Sequence, residues 1–140
     1  MKTRRLRLLM VDDAQEDIEL FQGLFQETAP DIQFHSVLSA QSALTYFETI
    51  GLPDVILLDL QMPAMDGHQF LAHLKSQPAL KHLSVVILTS SDHEADVHKA
   101  YHGLASAYLI KPTTYDGCRE MTESLQGFWR HVSFPTAQNV

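Results

Sequence analysis

The sequence predicts an α/β fold: five (βα) units building a three-layer sandwich around a parallel five-stranded sheet. Two solid apolar runs, Val55-Ile56-Leu57-Leu58 and Val85-Val86-Ile87-Leu88, read as strands buried on both faces, as central strands of a parallel sheet are. Short apolar runs alternate along the chain with longer amphipathic segments, the pattern of strands joined by right-handed helical crossovers. The length of 140 residues suits one domain. A closed barrel of eight such units needs about 250 residues and is excluded.

Residues 6–11 form the first apolar run, followed by the polar pair Asp12-Asp13. Residues 14–28 carry Ile18, Phe21 and Phe25 at helical spacing. Glu16 and Asp17 come early in that helix, where the macrodipole favours negative charge, and Pro30 closes it. Residues 32–37 mix apolar and polar positions, which suits a strand exposed on one side. Ser39 is a good N-cap for a second helix with the stripe Ala40, Ala43, Leu44 and Phe47. The run at residues 55–58 ends at Asp59. A helix with the face Phe70, Leu71 and Leu74 follows and stops at Pro78.

The run at residues 85–88 ends at Thr89. A weaker helix over about residues 92–102 has the poor apolar pattern Ala95, Val97, Ala100 and Tyr101. Residues 107–110 are a fifth strand, and about residues 114–130 a last helix with Cys118, Met121, Leu125 and Phe128 on one face. The mixed second strand belongs at an edge, which matches the 2-1-3-4-5 order of flavodoxin-like sheets.

Composition narrows the function. The chain is 45% hydrophobic and 19% charged, a globular profile. Ten basic against seventeen acidic residues give a net charge of −7, which argues against nucleic acid as a partner. The single cysteine, Cys118, excludes an internal disulfide and a multi-cysteine metal cage, and reads as core. No apolar run approaches the roughly 20 residues of a membrane span, and the basic start lacks a signal-peptide pattern, so the expected location is cytoplasmic. The first strand is followed by Asp12-Asp13-Ala14-Gln15, not by a glycine-rich dinucleotide loop.

Ligands of open α/β sheets sit at the carboxyl ends of the strands. Here those ends hold Asp12 and Asp13, Asp59, Thr89, and Lys111 followed by Pro112. Each taken singly is most simply a turn or cap residue. Taken together they put three carboxylates, a hydroxyl and an ammonium on one rim. Clustered carboxylates repel one another, and Mg2+ relieves this with carboxylate, water and phosphate oxygens around it. A carboxylate can also act as a nucleophile and form an acyl phosphate, with metal and lysine neutralising the phosphoryl oxygens.

These residues lie in four motifs: Leu9-Met10-Val11-Asp12-Asp13, the stretch from Leu57 through Asp59-Leu60-Gln61-Met62-Pro63 to Asp66-Gly67, Leu88-Thr89-Ser90, and Tyr108-Leu109-Ile110-Lys111-Pro112. In order and spacing the chain resembles the response-regulator receiver domains of bacterial two-component signalling. The resemblance implies that Asp59 accepts a phosphoryl group from a histidine kinase. It implies Mg2+ ligated by Asp13, Asp59 and the backbone carbonyl of Gln61, with Asp12 acting mostly through water. Lys111 pairs with the phosphoryl group, Thr89 swings toward it, and Tyr108 follows inward as an aromatic switch. The Lys111–Pro112 peptide is expected to be cis. Ser90 leaves room for the phosphoryl donor, and Gln61 and Ser91 occupy positions that tune phosphate lifetime. Such a domain is not an enzyme in the usual sense, because it catalyses only its own phosphorylation and dephosphorylation.

The expected division is a receiver domain over residues 1–130 and a C-terminal extension over 131–140 that contacts a partner or a second copy. No output module is expected to follow, so the signal is expected to leave by protein contact or by relay. Phe128-Trp129 and Val132-Ser133-Phe134-Pro135 resemble the ends of single-domain regulators paired with bacterial phytochromes. That resemblance implies a phytochrome-type histidine kinase as partner and a homodimer through the last helix and tail. The simpler reading of Trp129 is packing on its own domain.

Other functions remain beside this one: a phosphorelay intermediate, a pseudo-receiver scaffold that is never phosphorylated, and an aspartyl phosphohydrolase. The last needs a second acid two positions after the nucleophile, where Gln61 stands. His93, His98 and His102 could group around a transition metal, although a solvated helix face explains them more simply. His68 and His73 show no ligand grouping.

Overall fold

The computed structural model describes residues 5–135. Its elements in chain order are β1 (Arg7–Val11), α1 (Gln15–Thr28), β2 (Gln33–Val37), α2 (Ala40–Thr49), β3 (Val55–Leu58), α3 (Gly67–Ser76), β4 (Ser84–Thr89), α4 (Glu94–His102), β5 (Ala107–Ile110) and α5 (Tyr115–Trp129). The five strands form one sheet in the order β2-β1-β3-β4-β5. All four pairings are parallel, with Val11 opposite Leu58 and Thr89 opposite Ile110.

The side-chain alternation of a strand divides the core into two layers. Leu9, Val11, Ile56, Leu58, Val85 and Ile87 face α2, α3 and α4. Leu8, Met10, Val55, Leu57, Val86 and Leu88 face α1 and α5. Because β1, β3 and β4 are covered on both faces, they read as unbroken apolar runs. β2 lies at the edge, and its residues are half-buried or exposed.

Local sequence explains the helix ends. Ser39 caps α2 through the Ser42 N–H. Asp66 caps α3 in a capping box with Gln69. Thr114 caps α5 through the Gly117 N–H. α4 begins at Glu94, two residues later than expected, and buries only Ala100.

Two expectations need correction. The apolar stripe of α5 does not run to Phe128. Its core-facing row is Cys118, Thr122, Leu125, Trp129, at spacings of four, three and four, with the predicted Met121 packed on the same layer. Phe128 falls one step off this stripe and is 64% exposed, while Trp129 is 7% exposed. The Trp129 ring stacks on Phe25 at a centroid distance of 6.3 Å, and Val132 and Phe134 pack on the same layer. Trp129 therefore serves its own core, the simpler of its two readings. Second, no cis peptide occurs among the described residues, so Lys111–Pro112 is trans. Trans is favoured by about 0.5–1 kcal/mol even before proline. The Lys111 N–H continues the β4–β5 ladder by donating to the Thr89 carbonyl at 2.8 Å.

Candidate functional site

β1 and β3 are neighbours, so the residues that follow them meet at one rim. Asp12 is fully buried and Asp59 nearly so, whereas Asp13 is exposed. Oxygens of these three carboxylates lie within 4.8 Å of one another. The Ala14 N–H donates to Asp12 Oδ1 at 2.9 Å, and the Gln61 N–H to Asp59 Oδ1 at 3.3 Å. Each bond turns a carboxylate back over the chain that follows it.

Lys111 reaches in from the end of β5. Its Nζ donates to Asp12 Oδ2 and to Asp17 Oδ2, both at 2.7 Å, and lies 3.8 Å from Asp59 Oδ2. Burial raises the Asp12 carboxyl above its ordinary range, although the Lys111 ammonium pulls it back. Burial works against the Lys111 charge as well, but the bonds to Asp12 and Asp17 outweigh it and hold the ammonium above its usual value. Three carboxylates in one cluster with a single buried ammonium are a donor set that fits a hard divalent cation.

The sequence gives Asp17 only a helix-dipole role. Its signal lay in its position, one turn into the helix that follows Asp12-Asp13, where side chains lean back toward the N-terminus.

Gly67 opens α3 directly behind Asp59. A Cβ there would lie 2.4 Å from the Asp59 carbonyl oxygen and 2.6 Å from Leu60 Cα, so only glycine permits this approach. The Gly67 N–H donates to the Leu60 carbonyl at 3.0 Å.

Thr89 is the fully buried last residue of β4. It caps no helix, since His93 takes that place for α4. Its Oγ1 accepts from the Ser91 N–H at 3.5 Å. Tyr108 stands on β5, half-buried against the layer of α2, α3 and α4. Its hydroxyl donates to the Ser91 carbonyl at 2.9 Å, and burial raises its pKa. Thr89 and Tyr108 are thus joined through Ser91. Gln61 is exposed, and its side-chain oxygen accepts from Ser90 Oγ at 3.4 Å.

Among the described residues, the three aspartates are the only group of three or more side chains placed to hold a metal; His93, His98 and His102 do not converge. His68 pairs instead with Asp96, at 3.1 Å. Nothing near His68 in sequence announced this, because Asp96 comes from another helix.

A parallel 2-1-3-4-5 sheet whose carboxyl rim gathers aspartates and a lysine defines a receiver domain, and the chain belongs to the response regulator receiver domain family, which it matches over residues 8–123. Among its relatives is the response regulator Rcp1 of Synechocystis, 31% identical over 93% of this chain and 93% of that protein. The phosphorylated cyanobacterial phytochrome response regulator RcpA superposes with a TM-score of 0.86 at 27% identity, over 94% of this chain and 99% of the other. The Mn2+-bound form of Rcp1 gives 0.84 at 30% identity, with the same coverage. This chain is therefore a response-regulator receiver domain of a two-component system, with relatives among phytochrome-linked regulators. No helix among the described residues is long and apolar enough to cross a membrane.

Proposed function

We propose that this receiver domain takes a phosphoryl group from a histidine kinase onto Asp59. One Asp59 carboxylate oxygen attacks the phosphorus of the kinase phosphohistidine. The P–N bond breaks, its electron pair stays on the imidazole nitrogen, and that nitrogen takes up a proton. The observation that carries this reading is the Lys111 ammonium, 3.8 Å from Asp59 Oδ2 inside a cluster of three carboxylates. Lys111 can turn from Asp17 toward the new phosphoryl oxygens and balance their charge of about −1.5 to −2. Asp12, Asp13, Asp59 and the Gln61 carbonyl are the groups that would hold Mg2+. Bound there, Mg2+ supplies further positive charge to the phosphoryl oxygens. Thr89 donates its hydroxyl to one of those oxygens, and Tyr108 responds through Ser91.

Phosphorylation shifts an existing equilibrium rather than creating a new state. The output is a protein contact at the face of α4, β5 and α5. The likeness to the cyanobacterial phytochrome response regulator RcpA favours a phytochrome-type kinase as partner, and we assign the action to the cytoplasm. We assign the receiver to residues 1–130 and dimerisation to α5 with the extension 131–140, of which 136–140 lie outside the described residues. Phe128 is the exposed aromatic on that surface. A groove of about 410 Å³ beside it is lined by Leu109, Pro112, Met121 and Leu125.

The test is intact mass after incubation with acetyl phosphate, with and without Mg2+, for the natural chain and Asp59→Asn. One phosphoryl adduct is expected, only with Mg2+ and only on the natural chain. No adduct under any condition would overturn the proposal in favour of a scaffold.

A further inference from the structure

Ser91 sits between Thr89 and α4, and its carbonyl and its hydroxyl each bind another element. Its carbonyl accepts from the Tyr108 hydroxyl at 2.9 Å, and its Oγ donates to Asp96 Oδ2 at 2.6 Å. The other oxygen of Asp96 accepts from His68 Nε2 at 3.1 Å. Asp96 is in the first turn of α4, and His68 is the second residue of α3. One carboxylate therefore ties the loop after β4 to the start of α3. The carboxyl is held below its ordinary range by the hydrogen bonds from Ser91 and His68.

The α3 end of this tether is closely packed. Gly67 is packed so tightly behind Asp59 that no Cβ fits, and His68 follows directly. The His68 side chain is nine-tenths buried. Its Nδ1 is buried without a protein partner among the described residues. Donation to Asp96 requires the proton on Nε2, which leaves Nδ1 as a bare acceptor, the less costly group to bury unpaired. The α4 end, by contrast, is weakly packed, since that helix buries only Ala100.

We propose that Asp96 is a positioning residue that fixes Ser91, and through it the inward pose of Tyr108, relative to the Asp59 loop. Without Asp96, Ser91 loses its anchor to α3, and the carbonyl that receives the Tyr108 hydroxyl is free to move. The Tyr108 ring then spends more time outside its half-buried site. This rests on the reading of Asp59 as phosphoacceptor and of Tyr108 as the group that moves inward with it. By linkage, what favours the inward ring also favours the phosphoryl group, and by the same factor.

The test follows the Tyr108 ring resonances by NMR in protein carrying isotope-labelled tyrosine, with no added ligand. Beryllium fluoride with Mg2+ serves as the phosphoryl mimic whose affinity is titrated. In Asp96→Ala the Tyr108 resonances are expected to move toward those of an exposed tyrosine, and the affinity for the mimic to fall about tenfold, the size of one hydrogen bond to a charged acceptor. Asp96→Asn, which keeps an acceptor for Ser91, restores most of the loss. In a Tyr108→Phe background, Asp96→Ala has less than about a twofold effect, because the hydroxyl it acts through is gone. Ser91→Ala reproduces Asp96→Ala and replaces it if that variant does not fold. Unchanged Tyr108 resonances in Asp96→Ala overturn the proposal, as does an equal loss of affinity in the Tyr108→Phe background. If the natural chain binds no beryllium fluoride, the phosphoacceptor reading fails, while the Tyr108 resonances still decide the role of Asp96.

Discussion

The Lys111 ammonium faces Asp12, Asp17 and Asp59 at 2.7, 2.7 and 3.8 Å. The Asp12 side chain is almost wholly buried, whereas that of Asp17 is partly exposed. The two pairs therefore differ in weight. Removing Lys111 leaves the buried Asp12 charge uncompensated, which costs about 3–5 kcal/mol when nothing replaces the cation. Lys111→Ala is thus expected to lose about 3 kcal/mol of stability in EDTA at neutral pH, measured by urea unfolding. Asp17→Ala breaks a half-solvated pair and is expected to cost under about 1 kcal/mol. Asp12, Asp13, Asp59 and Lys111 were legible as one cluster, because each follows a strand and the strand order dictates who meets whom. Asp17, Asp96 and His68 were not. Their partners lie on other elements, and a single acid or histidine on a helix has no period that points to a distant loop.

At the scale of elements, α4 combines a poor apolar stripe with a specific polar tether. The poor stripe was visible in the sequence, and the structure agrees, with Ala100 as the only buried residue of that helix. The tether is the pair of bonds from Ser91 and His68 to Asp96, and it makes a pH dependence with a definite sign. The Asp96 carboxyl is held below its unfolded value of 3.8 by these hydrogen bonds. A depressed carboxyl stabilises the fold fully above the unfolded value and loses that contribution as pH falls through the folded one. Asp96→Asn is therefore expected to be less stable than the natural chain by about 1 kcal/mol at pH 7, a value kept small because Asp96 is partly solvated. That difference should shrink as pH falls below 3.8 and vanish once the folded carboxyl is protonated as well. Urea unfolding of both proteins across this range measures it. A constant difference down to the acid limit would place the effect in packing instead of charge.

For the whole molecule, the question is what the last helix does for the core and what it leaves outside. The sequence offered Phe128 and Trp129 together as the aromatic end of α5, and a step of 100° around the helix separates their fates. A three-four-three spacing from Cys118 reaches Phe128; a four-three-four spacing reaches Trp129, and residue counting cannot choose between them. The choice is made by Phe25 on α1, which stacks with the Trp129 ring at 6.3 Å and with the Phe34 ring at 5.7 Å. Val132 and Phe134 extend this layer past the helix, so the chain after α5 contributes to the same core. Trp129→Ala is accordingly expected to destabilise the monomer by about 3–4 kcal/mol, as for other large aromatic deletions in cores. Phe128→Ala, with its ring mostly in solvent, is expected to change stability by no more than about 0.5 kcal/mol. If α5 is also the dimer surface, Phe128→Ala alone should lower the dimer fraction in analytical ultracentrifugation of the phosphorylated protein, while its unfolding curve overlays that of the natural chain. A dimer that survives Phe128→Ala intact would move the interface off this face of α5, because the other aromatic of the pair is already committed to Phe25.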